Sequence, residues 1–327
     1  MKRAVLLLLL GGALLPAQLA QAQSGFQAAS VSTETQVAPA AGTATDEPLT
    51  TIHANVQEVN LIFTATDKKG HFRKDLKASD LAVLDDGKPP SSVSSFSTET
   101  NLPLRVGLLL DVSGSITDRF TFEQQSAIRF FRQILRPNTD QAFVLAFDAV
   151  QRMRQDFTDS PDMLARGVAD LTPGGGTAMY DAIFTASTEK LMKVHANRPV
   201  RRVIILITDG EDNQSRITRP EAIDAAKRAE VTIYAISTNT SNTRSRGDKV
   251  LEKLAEETGG RAFFPDKLDD VVHAFNLIQD ELRSQYALSY KPADFNSDGR
   301  YRTINIQARE MKNVVIRARK GYFAPNQ

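Results

Sequence analysis

Two nearly continuous apolar runs stand out in the middle of the chain, at residues 104–110 and 202–207. Such runs are typical of parallel strands that are buried on both faces of a sheet. Further strands are predicted at 142–147, 150–157 and 231–236. Amphipathic stretches lie between them and predict helices at 117–135, 160–171, 178–194, 220–229, 250–258 and 268–282. This alternation predicts an α/β fold over residues 103–283, with a doubly wound, mostly parallel sheet and helices on both faces.

The two flanks of this region show a different pattern. Residues 52–66 alternate in part between apolar and polar positions, and a second short apolar run follows at 81–84. Three more strands are predicted near the carboxyl terminus, at 285–290, 302–308 and 314–318. Each flank alone is thin for an independent core. We therefore expect residues 52–102 and 284–327 to combine into one small β-sandwich-like unit.

The first 22 residues have the features of a signal peptide. Lys2 and Arg3 precede an apolar run, and the small residues of 20–22 suit a cleavage site. An uncleaved membrane anchor is the alternative, but Gly11, Gly12 and Pro16 interrupt the run well short of a full span. Residues 23–51 are rich in Ala, Ser, Thr and Gln and predict a flexible linker. We expect an exported protein, periplasmic or extracellular, without a membrane span after cleavage.

Composition and charge narrow the classes of function. The 327 residues include 40 Lys and Arg against 39 Asp and Glu, and there is no cysteine. The lack of cysteine excludes disulfides, thiolate nucleophiles and cysteine-bound zinc. A net charge near zero gives no long-range attraction to nucleic acid, so we do not expect a nucleic-acid partner.

Three oxygen-rich loops follow the predicted strands or open a helix. The run at 104–110 leads into Asp111-Val-Ser113-Gly-Ser115, the run at 202–207 leads into Thr-Asp209-Gly, and a Gly-Gly-Gly-Thr177 loop precedes a predicted helix. Ligands of doubly wound sheets bind beyond the carboxyl ends of the strands. Hydroxyl and carboxylate oxygens are the ligands that Mg²⁺ and Mn²⁺ prefer. A cation held mainly by neutral hydroxyls stays electrophilic and favours a carboxylate from another molecule as its last ligand.

These loops, in this order, resemble the metal-ion-dependent adhesion site of the von Willebrand factor type A (VWA) family. The resemblance spans about residues 103–283 and implies that Ser113, Ser115 and Thr177 are direct ligands of the metal. It further implies that Asp111 and Asp209 act largely through water. In the flanks, residues 67–70, 84–89 and 319–325 resemble a bacterial, acidobacterial-type subfamily of VWA-related proteins.

Other acidic residues have more ordinary interpretations. Glu211 and Asp212 could tune the site, but charged loops are usually solvated, and this is the interpretation we favour. Asp181 and its neighbour Tyr180 suit capping and packing of the helix after Thr177. Residues 294–299 match the opening half of a calcium-binding loop, yet Asn305 stands where a bidentate Glu should close it. We therefore interpret this segment as a hairpin turn.

The sequence gives little support to an enzyme. The four histidines fall in separate predicted elements, no Gly-x-Ser-x-Gly motif is present, and the glycine run lacks the Lys of a phosphate-binding loop. Phosphoryl transfer through Asp111 is disfavoured because Ser113 stands where a second carboxylate is usual. We expect a non-enzymatic adhesion or interaction module whose partner is another protein presenting an Asp or Glu carboxylate. The alternative is a structural scaffold of a cell-envelope or secretion assembly, with no metal-bridged ligand.

Overall fold

Three sheets and six α-helices make up the part of the chain that the structure describes. The computed structural model describes residues 58–98, 102–114, 120–169, 171–194, 200–239, 241, 243–309, 311 and 313–326. The strands are β1 (Val59–Asp67), β2 (Leu81–Asp85), β3 (Ser92–Thr98), β4 (Leu104–Asp111), β5 (Gln141–Phe147), β6 (Gln151–Thr158), β7 (Arg201–Thr208), β8 (Val231–Ser237), β9 (Ala262–Phe263), β10 (Gln285–Lys291), β11 (Tyr301–Ala308), β12 (Val314–Ala318) and β13 (Gly321–Phe323). The helices are α1 (Phe120–Ile134), α2 (Pro161–Ala169), α3 (Met179–Thr185), α4 (Arg219–Arg228), α5 (Arg246–Thr258) and α6 (Leu268–Leu282).

The central sheet has the strand order β6-β5-β4-β7-β8-β9. β4 pairs in parallel with β5 on one side and with β7 on the other, and only the edge strand β6 is antiparallel. The strand order reverses at β4, because the chain continues from it toward one edge and later returns to its other side. This switch point is where doubly wound sheets bind ligands. The predicted fold class is confirmed.

Helices cover both faces of this sheet because its strands are apolar on both sides. One core contains Leu108 and Leu110 of β4 together with Phe130 of α1 and Phe275 of α6. The other contains Leu109 of β4 with residues of α3, α4 and α5. Successive residues of one strand thus enter different cores, which is why β4 reads as an uninterrupted apolar run.

The flanking segments form two small antiparallel sheets. One sheet has four strands in the order β12-β1-β10-β3, and the other has three strands in the order β13-β11-β2. Phe63 stacks on Tyr286 with ring centroids 5.2 Å apart, and both belong to a core that the two sheets share. The predicted β-sandwich-like unit from both ends of the chain is therefore confirmed.

Several predicted boundaries need correction. The helix predicted at 250–258 begins at Arg246, because Ser245 and Asp248 form a capping box. The helix predicted at 178–194 is α-helical only over Met179–Thr185 and continues as a π-helix over Ala186–Leu191. The hairpin predicted at 294–299 is wrong, since this segment joins β10 to β11, which lie in different sheets.

Basic side chains hold the acidic residues of the same segment close together. The Arg302 guanidinium donates to the carbonyl oxygens of Asp294 and Asn296, both at 3.2 Å, and to the Asp298 carboxylate at 3.3 Å. Lys88 forms a further ion pair with Asp294. Lys88 and Arg302 thus bind the carboxylates of Asp294 and Asp298, two of the side-chain ligands that a calcium ion would need.

The signal peptide, the linker and Ser115 lie outside the described residues. Within the described ranges, no helix is both long and apolar enough to cross a membrane.

Candidate functional site

Asp111 ends β4 and is completely buried. Its Oδ1 accepts a hydrogen bond from the backbone N–H of Ser113 (2.8 Å), and its Oδ2 accepts one from the Thr208 hydroxyl at the end of β7 (2.5 Å). The first bond closes the tight turn after the strand. The second joins the carboxyl ends of two neighbouring strands. Asp111 therefore fixes the loop that contains Ser113, itself 2 % exposed.

The glycine loop packs directly against this turn. The N–H of Gly174 donates to the carbonyl oxygen of Val112 (2.7 Å), and the N–H of Gly114 donates to that of Gly175 (3.4 Å). Gly175 has a φ of +88°, a conformation that side chains with a Cβ rarely adopt. The glycines thus let the two loops meet through their backbones.

Thr177, at the end of the glycine loop, is tied to the loop that follows β7. Its N–H donates to the Asn213 side-chain oxygen (3.0 Å), and its carbonyl oxygen accepts from the N–H groups of Asn213 and Gln214, both at 3.0 Å. A Cβ on Gly176 would lie 2.6 Å from the Gln214 side chain, so this junction needs glycine. Thr177 is 3 % exposed, and both its N–H and its carbonyl oxygen are hydrogen-bonded to this loop.

Asp209 lies in the same loop, one residue after Thr208. Its Oδ1 accepts the N–H of Glu211 (3.0 Å), while the Thr208 hydroxyl accepts the N–H of Gly210 (3.1 Å). On its other side the loop rests on the start of α5, where a Cβ on Gly247 would lie 2.1 Å from the Asp209 carbonyl oxygen. The loop backbone is therefore fixed between β4 and α5.

The three loops thus meet at the carboxyl ends of β4 and β7 and carry four of the five predicted site residues. Ser115 lies outside the described residues, so its position is not part of this geometry. Three of the four, Asp111, Ser113 and Thr177, are almost fully buried. Rigid placement of side chains by backbone hydrogen bonds is what a metal or ligand site requires.

The electrostatics of the site depend on Asp111. Burial raises the pKa of its carboxyl from 3.8 to about 6, and the charge of Asp209 adds to the increase, whereas hydrogen bonds from Thr208 and Ser113 oppose it. No ion pair between described residues involves Asp111. A buried carboxylate that has only neutral donors is stabilised by a nearby cation.

The donor set decides which cation fits. Across the described ranges, no group of three His, Cys, Asp or Glu side chains is placed to hold a metal. Zinc-type ligation by several histidines has no counterpart there. Two carboxylates with serine and threonine hydroxyls fit a hard cation such as Mg²⁺ or Mn²⁺, which takes oxygen ligands.

Comparison with known proteins agrees with this geometry. Residues 106–277, more than half of the chain, match the family model of the von Willebrand factor type A domain. The protein belongs to the VWA family. None of the curated proteins matches the chain.

Several solved structures are similar to this VWA protein. BatB from Bacteroides thetaiotaomicron is 18% identical with a TM-score of 0.45, and the match covers 55% of this chain and 100% of that one. Proximal thread matrix protein 1 from the mussel byssus is 18% identical with a TM-score of 0.48, covering 60% and 50%. This chain therefore spans half the length of the mussel protein. The vWF domain of the type V pili tip protein Mfa5 from Porphyromonas gingivalis is 14% identical with a TM-score of 0.46, covering 55% and 95%.

Two residues that support the candidate site were given no individual role by the sequence analysis, although Thr208 was part of the Thr-Asp209-Gly motif. Thr208 links Asp111 to Gly210, and Asn213 holds Thr177 through both its side chain and its backbone. A signal for Thr208 was present, because it is a polar residue that directly continues the apolar run of β7. Asn213 has no such signal, since its bond to Thr177 joins residues that are distant in sequence.

The acidic residues beside the site are more than solvated side chains. Glu211 accepts the N–H of Gly247 in the first turn of α5 (2.7 Å), and Asp212 accepts the N–H of Tyr180 in the first turn of α3 (3.0 Å). Our preference for a solvated loop is therefore wrong for both. Asp181 accepts the N–H groups of Arg216 and Ile217. The Asp181 carboxylate thus binds the loop before α4 and does not cap α3, whereas the packing predicted for Tyr180 is confirmed.

Proposed function

We propose that this VWA protein is an exported binding module. In this proposal it holds Mg²⁺ or Mn²⁺ at Asp111, Ser113, Ser115, Thr177 and Asp209 and binds a carboxylate of a partner protein there. One observation supports the proposal: the three loops that contain these residues are hydrogen-bonded to one another beside a buried Asp111. The domain boundaries that go with it are a signal peptide at 1–22, a linker at 23–51, the VWA domain at 103–283 and β segments at 52–102 and 284–327.

Each residue has a distinct part in this proposal. Ser113, Ser115 and Thr177 contribute neutral hydroxyl oxygens as direct ligands. Asp111 and Asp209 contribute negative charge and act largely through water, and the buried position of Asp111 strengthens its attraction for a cation. The bound cation would supply an electrophilic position for one further oxygen ligand. Because the protein's own direct ligands are neutral, a carboxylate from a partner is the best-matched occupant of that position.

Binding of the metal is tested by thermal unfolding. Mg²⁺ or Mn²⁺ added to the full chain should raise its melting temperature in a concentration-dependent way, because a ligand of the native state stabilises it. Asp209→Ala should lose the rise. Asp224→Ala, an exposed aspartate of α4, is the matched control and should keep it. An unchanged rise in Asp209→Ala would reject this site.

Partner binding through the metal needs a second experiment. The purified protein is immobilised and exposed to envelope and secreted proteins from the source organism, with Mg²⁺ or with EDTA. Capture should be lost in EDTA and in Asp209→Ala, and it should persist in Asp224→Ala. Capture that survives both EDTA and Asp209→Ala would favour the scaffold alternative, in which the α/β domain binds without a metal.

Export is tested on the protein itself. The amino terminus of the protein recovered from outside the cytoplasm should lie near Gln23, since small residues suited to cleavage occupy positions 20–22. A mature protein that still begins at Met1 would instead support the uncleaved anchor.

A further inference from the structure

A cavity of about 510 Å³ lies between the α/β domain and the four-stranded sheet of the flanking unit. Its lining includes Arg201 and Val231, the first residues of β7 and β8. The metal site lies at the opposite, carboxyl ends of β4 and β7. The cavity is therefore separate from that site, and its volume is typical of pockets that bind small molecules.

The space exists because β3 and β10 present small side chains on one face of the four-stranded sheet. Along β10, Gln285, Ala287 and Ser289 line the cavity, while the alternating residues Tyr286, Leu288 and Tyr290 fill the sandwich core. On β3, Ser97 pairs with Ala287 and Ser95 pairs with Ser289, and both serines line the cavity as well. A sheet face that packs on another layer usually carries large apolar residues. Serine and alanine here leave room for a ligand.

Basic residues dominate the charges of this cavity. The cationic side chains among its described lining residues are Arg201, Arg202, Lys227, Arg317 and Arg319, and the single carboxylate among them is Glu230. Two carboxylates outside the lining neutralise two of these cations, because Glu257 binds Lys227 (2.7 Å) and Glu281 binds Arg317 (2.7 Å). Glu230 forms ion pairs with both Arg319 (3.0 Å) and Arg202 (3.8 Å). The lining keeps a surplus of positive charge, which favours an anion.

We propose that this cavity binds a small hydroxylated oxyanion, with its anionic group at Arg202 and Arg319. A sugar acid and a sugar phosphate share this chemistry. The serine hydroxyls of β3 and β10 provide further partners for a polyhydroxylated ligand.

Isothermal titration calorimetry on the full chain separates the two sources of the anion. The probes are D-gluconate, D-glucose 6-phosphate and the uncharged D-glucitol, each in EDTA so that the metal site does not contribute. At least one of the two anions should bind with a Kd of about 1 mM or lower, and D-glucitol should bind about tenfold more weakly or not at all. The anion that binds identifies a carboxylate or a phosphate ligand. Absence of heat with both anions, or equal binding of D-glucitol, would overturn the proposal.

Two variants and one control locate the binding. Ala287→Leu fills the cavity from β10 and should weaken binding of the anion about tenfold or more. Ala82→Leu makes the same change on β2, which does not contribute to the described lining, and should bind as the wild type does. Arg202→Gln removes one charge without filling space and should also lower the affinity for the anion. The proposal therefore remains testable if Ala287→Leu fails to fold. Wild-type affinity in Arg202→Gln would contradict the proposed position of the anion.

Discussion

Two aspartates at opposite ends of the parallel sheet, Asp111 and Asp140, are both completely buried. Asp111 follows β4 at its carboxyl end, and Asp140 directly precedes β5 at its amino end. Asp140 accepts hydrogen bonds from the Arg136 guanidinium (2.8 and 2.9 Å) and from the N–H of Leu104 (2.8 Å), with Arg283 at 3.8 Å. Asp111 accepts hydrogen bonds from the backbone N–H of Ser113 and from the hydroxyls of Thr208 and Ser113, all of them neutral donors.

The pKa values of the two carboxyls shift in opposite directions. Burial raises the pKa of Asp111 to about 6. Burial alone would do the same to Asp140, but hydrogen bonds from Arg136 and from backbone N–H groups outweigh it and hold that pKa below its ordinary value. Asp140 carries its countercharge within the fold and is structural. Asp111 has the same burial, and no basic side chain among the described residues pairs with it, which is the condition in which an external cation stabilises the protein most.

The largest expected effect is on stability and comes from Asp140. Asp140→Ala should lower the free energy of unfolding by about 3–5 kcal/mol, because it leaves the Arg136 and Arg283 guanidinium groups without their buried partner. Asp111→Asn, measured in EDTA at neutral pH, should change it by only about 1 kcal/mol, since the amide removes an uncompensated charge. Urea unfolding measures both. Equal losses in the two variants would abolish the contrast between them.

The pH dependence of stability should follow Asp111. Its folded-state pKa of about 6 exceeds the ordinary 3.8, so the folded protein binds this proton more tightly than the unfolded chain does. The contribution of Asp111 to the free energy of unfolding is therefore most favourable at low pH and is lost as pH rises through 6. In EDTA, the stability of wild type relative to Asp111→Asn should fall by about 2 kcal/mol between pH 4.5 and 7.5.

Asp140 does not interfere in this window. The pKa of Asp140 is lowered in the folded state. Its contribution to stability is therefore complete above the ordinary value of 3.8 and is lost only as pH falls through the folded-state pKa. Saturating Mg²⁺ should reverse the trend of the wild type, because the cation favours the charged form of Asp111. A pH profile that stays parallel to that of Asp111→Asn with and without Mg²⁺ would contradict the assignment.

The contrast also explains how far the sequence could predict the site. The shared location of Asp111, Ser113, Thr177 and Asp209 was predictable because each follows a strand or opens a helix, and the carboxyl ends of parallel strands meet at one edge. Thr208 binds Asp111 from 97 positions away, and local patterns do not encode such a pairing. The difference between Asp111 and Asp140 was equally hidden, since it depends on which basic side chains the fold brings near.

The strands show the same limit of prediction from sequence. β4 and β7 were predictable because burial on both faces demands an apolar run. β3 escaped prediction because Ser95 and Ser97 face a polar cavity and Val93 is half exposed, so no apolar face is visible in its sequence. Pairing with β10 supplies the hydrogen bonds that hold this strand in the sheet.

Thr208 provides a test of intermediate size. Thr208→Val keeps the shape of the side chain but removes the hydrogen bonds to Asp111 and Gly210. Because such supporting bonds orient the groups around a metal, the affinity for Mn²⁺ should fall by about tenfold. Calorimetric titration with Mn²⁺ measures it. Thr232→Val, at the other end of the sheet in β8, is the matched control and should leave the affinity unchanged, whereas equal losses in both variants would point to a general loss of stability.

The smallest expected effect concerns Glu211, a carboxylate beside the proposed metal site that has a partial countercharge in the fold. It accepts the N–H of Gly247 at the positive end of α5. Glu211→Gln keeps an acceptor oxygen and removes the charge, so stability should fall by about 0.5 kcal/mol, and less in high salt. Urea unfolding at two salt concentrations measures the change. If Glu211→Gln instead weakened Mn²⁺ binding as strongly as Thr208→Val, Glu211 would share the environment of Asp111, and the helix would not be its main countercharge.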